Sequence, residues 1–365
     1  MALSFRMCSA LFVLLLHGMG LCVAAGNEAS SGATGPAGVV QPALALLLPL
    51  ASPDFARPAT ALRLGFMAAL KHSGGKLTVG MFATDATNES ILAGYEQAVK
   101  AGARLVVGPM TRAGVSALAA STLVSVPTLA LNLSEGKTAL PPRFYTFGLA
   151  LEAEAQLVAR DAAAENLKSA ILVSSKGPLA QRSRAAFAET WERLGGVVAE
   201  SYEFDARTDL SALRRALASA KADLVFLAAD TEQARAVRPF LNHHIAVFAI
   251  SQVNSGGNDS LANSDLNGIR FVEMPWLVQL DHPAVMVYPR PKGITAELER
   301  FYALGIDAFR IAAALVEDPR RLSLDGVTGK LTLYGNVVVR EPVQAVFRNG
   351  VSVTFDHDEQ GEDTR

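Results

Sequence analysis

Apolar residues in this chain fall into short continuous runs, separated by longer stretches whose apolar positions recur at helical spacing. The run over 43–48 (ALALLL) opens the pattern. Continuous rather than alternating apolar positions need cover on both faces, as in a parallel sheet. Helical spacing over 59–71, 89–101 and 113–121 alternates with strand-like runs over 77–82, 105–107 and 128–131. Strand–helix alternation of this kind predicts a doubly wound α/β sheet.

The pattern then starts again. A short extended segment over 144–147 leads to a helix over 151–165, a strand over 169–173 and a helix over 181–194 that stops at Gly195-Gly196. Further strands over 197–204, 224–228 and 246–250 enclose helices over 210–221 and 231–241. The last third is too irregular for another unit: a strand over 269–273, a long helix over 296–317, and short strands over 330–333, 337–339 and 343–347. Pieces of this size fit as additions to two existing sheets, so the chain crosses between two lobes more than once. The expectation is lobe 1 over 43–148 with 275–318, and lobe 2 over 149–274 with 319–355.

The ends change the picture. Residues 1–25 carry one charge, Arg6, then an apolar core over 11–16 and small residues at Val23-Ala24-Ala25, the layout of an export signal cleaved before Gly26. Both cysteines, Cys8 and Cys22, lie inside it. Cys22 offers a second route, lipid attachment and an outer-membrane anchor, for which Leu21 before it is a poor fit. Residues 26–42 read as a flexible tether and 356–365 as a disordered acidic tail. The 22 uncharged residues over 113–134 contain seven Ser, Thr or Asn and Pro127, so they read as a buried helix and strand rather than a membrane span.

Composition removes function classes. With 33 basic and 35 acidic side chains the formal charge is −2, which argues against nucleic-acid binding, where phosphate contact needs a basic surface. Gly136-Lys137-Thr138 lacks the glycine five positions earlier that a phosphate loop requires, since Leu131 stands there. Ser134 and Ser73 each open an S-x-x-K pattern, yet Ser264-Asp265 is followed by Leu266 and no K-T-G occurs. His243 and His244 are adjacent, so on a helix they diverge and do not share a metal ion. No catalytic set, metal site or cofactor motif is read, and the chain is expected not to be an enzyme.

The cleft beyond the carboxyl ends of the strands is where an open α/β sheet holds a ligand. Ser52, Thr111, Asn132, Ser174, Ser175, Asp230 and Ser251 are the polar residues expected there. Thr111 reads equally as a helix cap and Asn132 as a turn former.

The segments ALLLPLASPDFARPATALRLGFMAA from Ala45, VVGPMTRAGVSAL, VPTLALN, FYTFGLALEAEA, FAETWERLGG, FVEMPWL and FYALGIDAFRIAAAL resemble, in order, the penicillin-binding-protein activator (LppC) family, in its C-terminal module. The resemblance implies a type I periplasmic-binding-protein fold: two lobes, each a doubly wound, mostly parallel sheet. It also implies a non-catalytic periplasmic protein whose partner is a class A penicillin-binding protein. Family members carry a helical, TPR-like domain before this module, where here the tether stands. Met274, Trp276 and Leu277 beside Pro275 are the candidate partner contact, Trp276 having also a reading as an internal crossover residue. The alternative is a solute-binding protein delivering an amino acid to an ABC importer. Asn132-Leu133 and the apolar Leu50-Ala51 disfavour that reading, because a zwitterion needs paired hydroxyls and a carboxylate.

Overall fold

The computed structural model describes residues 43–355, apart from 137–138, 220, 243, 258–259 and 319–321. The leader, tether, acidic tail, His243 and Lys137-Thr138 lie outside the described residues.

The first unit runs β1 (Leu44–Leu48), α1 (Ala56–His72), β2 (Val79–Ala83), α2 (Asn88–Lys100), β3 (Leu105–Val107), α3 (Arg112–Ala120), β4 (Thr128–Ala130) and β5 (Phe144–Thr146). The second runs α4 (Leu151–Ala164), β6 (Ser169–Ser175), α5 (Pro178–Arg193), β7 (Val197–Phe204), α6 (Leu210–Ser219), β8 (Leu224–Ala228), α7 (Thr231–Val237), β9 (Ala246–Ala249) and β10 (Ile269–Glu273). Short helices α8 (Pro275–Val278) and α9 (Pro283–Met286) then precede the long α10 (Ala296–Glu317). The chain closes with β11 (Ser323–Asp325), β12 (Lys330–Tyr334), β13 (Val337–Glu341), β14 (Val343–Arg348) and β15 (Val351–Thr354).

Two mostly parallel sheets result, ordered β11-β12-β13-β5-β4-β3-β1-β2 and β15-β14-β10-β9-β8-β6-β7. The continuous apolar runs are explained by cover on both sides. In β1, Leu44, Leu46 and Leu48 face the core shared with α1 and α10, while Ala45 and Leu47 face α2 and α3. In β8, Val225 and Leu227 point one way and Phe226 the other, where it stacks on Phe187. Helix α7 is shorter than its apolar spacing predicts because Pro239 turns the chain into a single 3-10 turn. Ser73 of the S-x-x-K pattern closes α1 rather than opening a helix, its hydroxyl donating to the Leu70 carbonyl at 2.8 Å.

The assignment of 319–355 to lobe 2 is corrected. β11, β12 and β13 belong to the first sheet: β13 lies parallel to the open edge of β5, where Thr146 N donates to the Asn336 carbonyl at 2.9 Å. The buried Asp307 of α10 fixes the turn before β12. Its carboxylate accepts from Val327 N (3.2 Å), Thr328 N (2.8 Å), Thr328 Oγ1 (2.7 Å) and Arg310 Nη1 (3.1 Å). Only β14 and β15 return to lobe 2, β14 antiparallel to β10 and β15 antiparallel to β14 at the sheet edge. The chain therefore passes between the lobes at 147–150, at Met274 and at Pro342.

Within lobe 1, α1 and α10 touch backbone to backbone. A Cβ on Gly65 would sit 1.8 Å from the Tyr302 carbonyl oxygen, and one on Gly305 would sit 1.9 Å from that of Leu62. Phe66 and Phe309 seal this crossing edge to face at 5.3 Å.

Buried charges join the lobes beside the crossovers. Arg300 of α10 donates to the carbonyls of Ser251 (2.9 Å) and Asn254 (2.8 Å) and to both carboxylate oxygens of Glu273. Glu273, wholly buried at the end of β10, also accepts from Asn254 Nδ2 at 2.9 Å and from Met274 N at 3.0 Å. Arg340 of β13 donates to Glu154 of α4 at 2.6 Å, and Glu154 accepts from Ser251 N at 3.1 Å. Ser251 thus links the two pairs through its own backbone. Desolvating an ion is offset only where its lone pairs and protons all find partners, and here each carboxylate is surrounded by donors.

Two outcomes follow. Gly305→Ala should cost about 3 kcal/mol, because the clash is with backbone and no rotamer relieves it. Glu273→Gln should cost about 3 kcal/mol, because Arg300 keeps its charge in a buried site without its nearest counterion. Urea unfolding midpoints measure both, and a midpoint equal to the parent's in either variant contradicts the corresponding contact.

Candidate functional site

The crossovers leave a cleft of about 1090 Å³ between the lobes. Its walls are the loops beyond the carboxyl ends of β3, β4, β8 and β9, with the first turns of α3, α4 and α10. This is the position that the parallel topology dictates.

Of the polar residues expected there, Thr111, Asn132, Asp230 and Ser251 line the cleft. Each has a structural task in the chain, three through the side chain and Ser251 through its backbone. The Thr111 hydroxyl accepts from Gly114 N at 3.2 Å and caps α3. Asn132 donates from Nδ2 to the Met110 carbonyl at 3.0 Å and accepts from Leu133 N at 2.9 Å, bracing one exit loop against the next. Asp230 forms a capping box with Gln233 at the start of α7. Ser251 presents its backbone to Glu154 and Arg300.

Ser52, Ser174 and Ser175 are not in the cleft wall, which corrects that expectation. Strand β6 extends through Ser175, so both serines lie within the sheet, buried between β7 and β8. Ser52 is buried in the turn after β1, its carbonyl accepting from Ala56 N at 2.9 Å.

The candidate partner contact is corrected as well. Met274 and Trp276 are 1 % and 0 % exposed, so neither presents a surface. The Trp276 indole donates from Nε1 to Glu299 at 3.0 Å, lies 4.1 Å beneath the Arg290 guanidinium and packs against Tyr302. Leu277 is half-buried against the same core. The internal reading of Trp276 is the one the fold realises, because the chain turns into lobe 1 at Pro275 and carries its apolar side chains with it.

Sequence reasoning missed the charges. Arg112 at the start of α3 in lobe 1 reaches across the cleft and donates from Nη2 to both carboxylate oxygens of Glu152 in lobe 2, each at 2.9 Å. Arg182 of α5 donates from Nε to the same carboxylate at 2.9 Å. Burial works against an ionised Glu152, but its backbone hydrogen bond and the two guanidinium groups outweigh it and hold its pKa below the usual carboxylate range. One signal was available. An arginine in the first turn of a helix opposes the helix dipole, so Arg112 called for an anionic partner.

Apolar side chains widen the mouth: Phe55 from lobe 1 and Leu179 from lobe 2 are both well exposed and line the cleft. Among the described residues no three His, Cys, Asp or Glu side chains form a metal-holding group, and no helix is long and apolar enough to cross a membrane.

Known proteins share this architecture. The family model LppC, described as "LppC putative lipoprotein", matches residues 39–219 and 213–350. The penicillin-binding protein activator LpoA of Haemophilus influenzae is 25 % identical over 320 residues, 85 % of this chain and 54 % of that protein. The chain thus spans about half the length of the curated relatives it matches. The C-domain of Haemophilus influenzae LpoA, a regulator of PBP1A, superposes with a TM-score of 0.73 at 22 % identity, covering 86 % of this chain and 99 % of that one. A Chromobacterium violaceum structure, solved as a putative branched-chain amino acid ABC transporter, is 35 % identical with a TM-score of 0.71, covering 83 % and 99 %. With the family model matched across both lobes, and the two-sheet fold shared with the LpoA C-domain, the chain belongs to the LppC family.

Proposed function

We propose that this chain is a non-catalytic protein of the bacterial envelope that binds a class A penicillin-binding protein and raises its peptidoglycan synthesis. The family match over both lobes and the LpoA relatives support the reading. The observation that carries it within the molecule is the state of the cleft. Thr111, Asn132 and Asp230 each commit side-chain atoms to the chain's own loops and helix ends, and Ser251 serves through its backbone, so each has a structural task without any solute. Function then lies in a contact made by the outer surface of the module. Its place of action is the periplasm, and the route through Cys22 would anchor it to the outer membrane.

A second reading is supported by the 35 % identical Chromobacterium protein: a binding protein that passes an amino acid to an importer. The cleft volume permits it.

Purified protein added to a cognate class A synthase should speed glycan polymerisation or cross-linking while remaining inert alone. A panel of amino acids should leave its melting temperature unchanged. Saturable binding of one amino acid with a clear rise in melting temperature, together with no effect on any synthase, would replace the first reading by the second.

A further inference from the structure

The interlobe ion pairs differ in their access to water. Glu273 and Glu154 are at most 4 % exposed, and their arginines Arg300 and Arg340 only 13 % and 6 %. The Arg112 and Glu152 side chains remain 28 % and 22 % exposed within the cleft. The first two pairs sit beside the crossovers at Met274 and Pro342, so they fix the joint itself. The third bridges open space, from the first turn of α3 in one lobe to the first turn of α4 in the other.

We infer that the Arg112–Glu152 bridge is a releasable latch that holds the two lobes at one separation, with Arg182 keeping the Glu152 carboxylate in place. The geometry is suited to this. Both Glu152 oxygens face one guanidinium nitrogen of Arg112, while Arg182 engages one of the same oxygens from within lobe 2. Glu152 sits comfortably at its own helix N-terminus, whereas Arg112 does not, so Arg112 stays in the cleft because Glu152 is there. Water reaches this pair, so mobile ions weaken it in part, while the more deeply buried pairs feel them less. Releasing the bridge therefore frees the mouth of the cleft without dismantling the joint. The inference concerns the lobes alone and stands apart from the identity of any partner.

Two spin labels across the mouth read the separation. Glu89→Cys follows β2 and Ala206→Cys follows β7, both exposed and each just beyond the outer parallel strand of its sheet. They are introduced into the full chain carrying Cys8→Ser and Cys22→Ser, which leaves no other thiol. Pulsed electron–electron distance measurement should give one narrow distribution for the parent. Arg112→Gln and Glu152→Gln should each shift it to a longer, broader one. About 1 M NaCl, where the Debye length is about 3 Å, should shift the parent part of the way toward the variants and leave the variants where they are. Arg184→Gln is the control, since its 2.8 Å pair with Glu203 lies wholly in lobe 2, and it should leave the distance unchanged. An unshifted distribution in Glu152→Gln, an unshifted parent in high salt, or an equal shift in Arg184→Gln would overturn the latch. The salt arm uses the folded parent, so it decides the matter even if a variant fails to fold.

Discussion

A guanidinium drawn out of water into the joint between two lobes needs partners there, and Arg300 finds a carboxylate and two carbonyls. It rises from α10 of lobe 1 and donates to Glu273, Ser251 and Asn254, all supplied by lobe 2. The crossover at Met274 is held by the same carboxylate, whose Oε1 accepts from Met274 N. Through the Ser251 backbone the arrangement continues to Glu154 and Arg340, and so to the crossover at Pro342. This buried layer ties the lobes together beside two of the three crossovers, at the base of the cleft. Removing one charge leaves another stranded, so the layer acts as a unit.

Much of the architecture was legible because it depends on apolar patterning. β1 reads as a two-faced buried strand from ALALLL alone, and Leu44 through Leu48 are all wholly buried. Strand β10 and helix α10 have the bounds that their apolar spacing predicts. The final strands were harder. Segments such as Val337–Glu341 carry no mark of which sheet edge will take them. What decides it is the open edge of β5 and the grip of Asp307 on the turn at Val327 and Thr328, contacts between residues distant in sequence. Burial raises the pKa of Asp307, against the pull of Arg310 and the Thr328 hydrogen bonds.

The site was less legible for a related reason. Hydroxyls and amides on exit loops suggest a ligand pocket, yet Thr111, Asn132 and Asp230 serve the local needs that their residue types also suit: a cap, a turn and a capping box. The residues that organise the cleft are Arg112, Glu152, Glu154, Arg182, Arg300 and Arg340, whose pairings span 27 to 186 positions of sequence. Trp276 shows the opposite error. A large aromatic beside Pro and Met suggests an exposed anchor, but its indole nitrogen has Glu299 to bond and its face has Arg290 to cover it, so burial leaves nothing unsatisfied.

The proposed function puts the working surface on the outside of the lobes. Hydrogen exchange of this chain with and without a class A penicillin-binding protein measures that directly, amide by amide. Protection is expected on outer helices and sheet edges, with the loops at 108–112 and 250–256 unchanged. Protection concentrated in those cleft loops, with the outer faces unaffected, would contradict it.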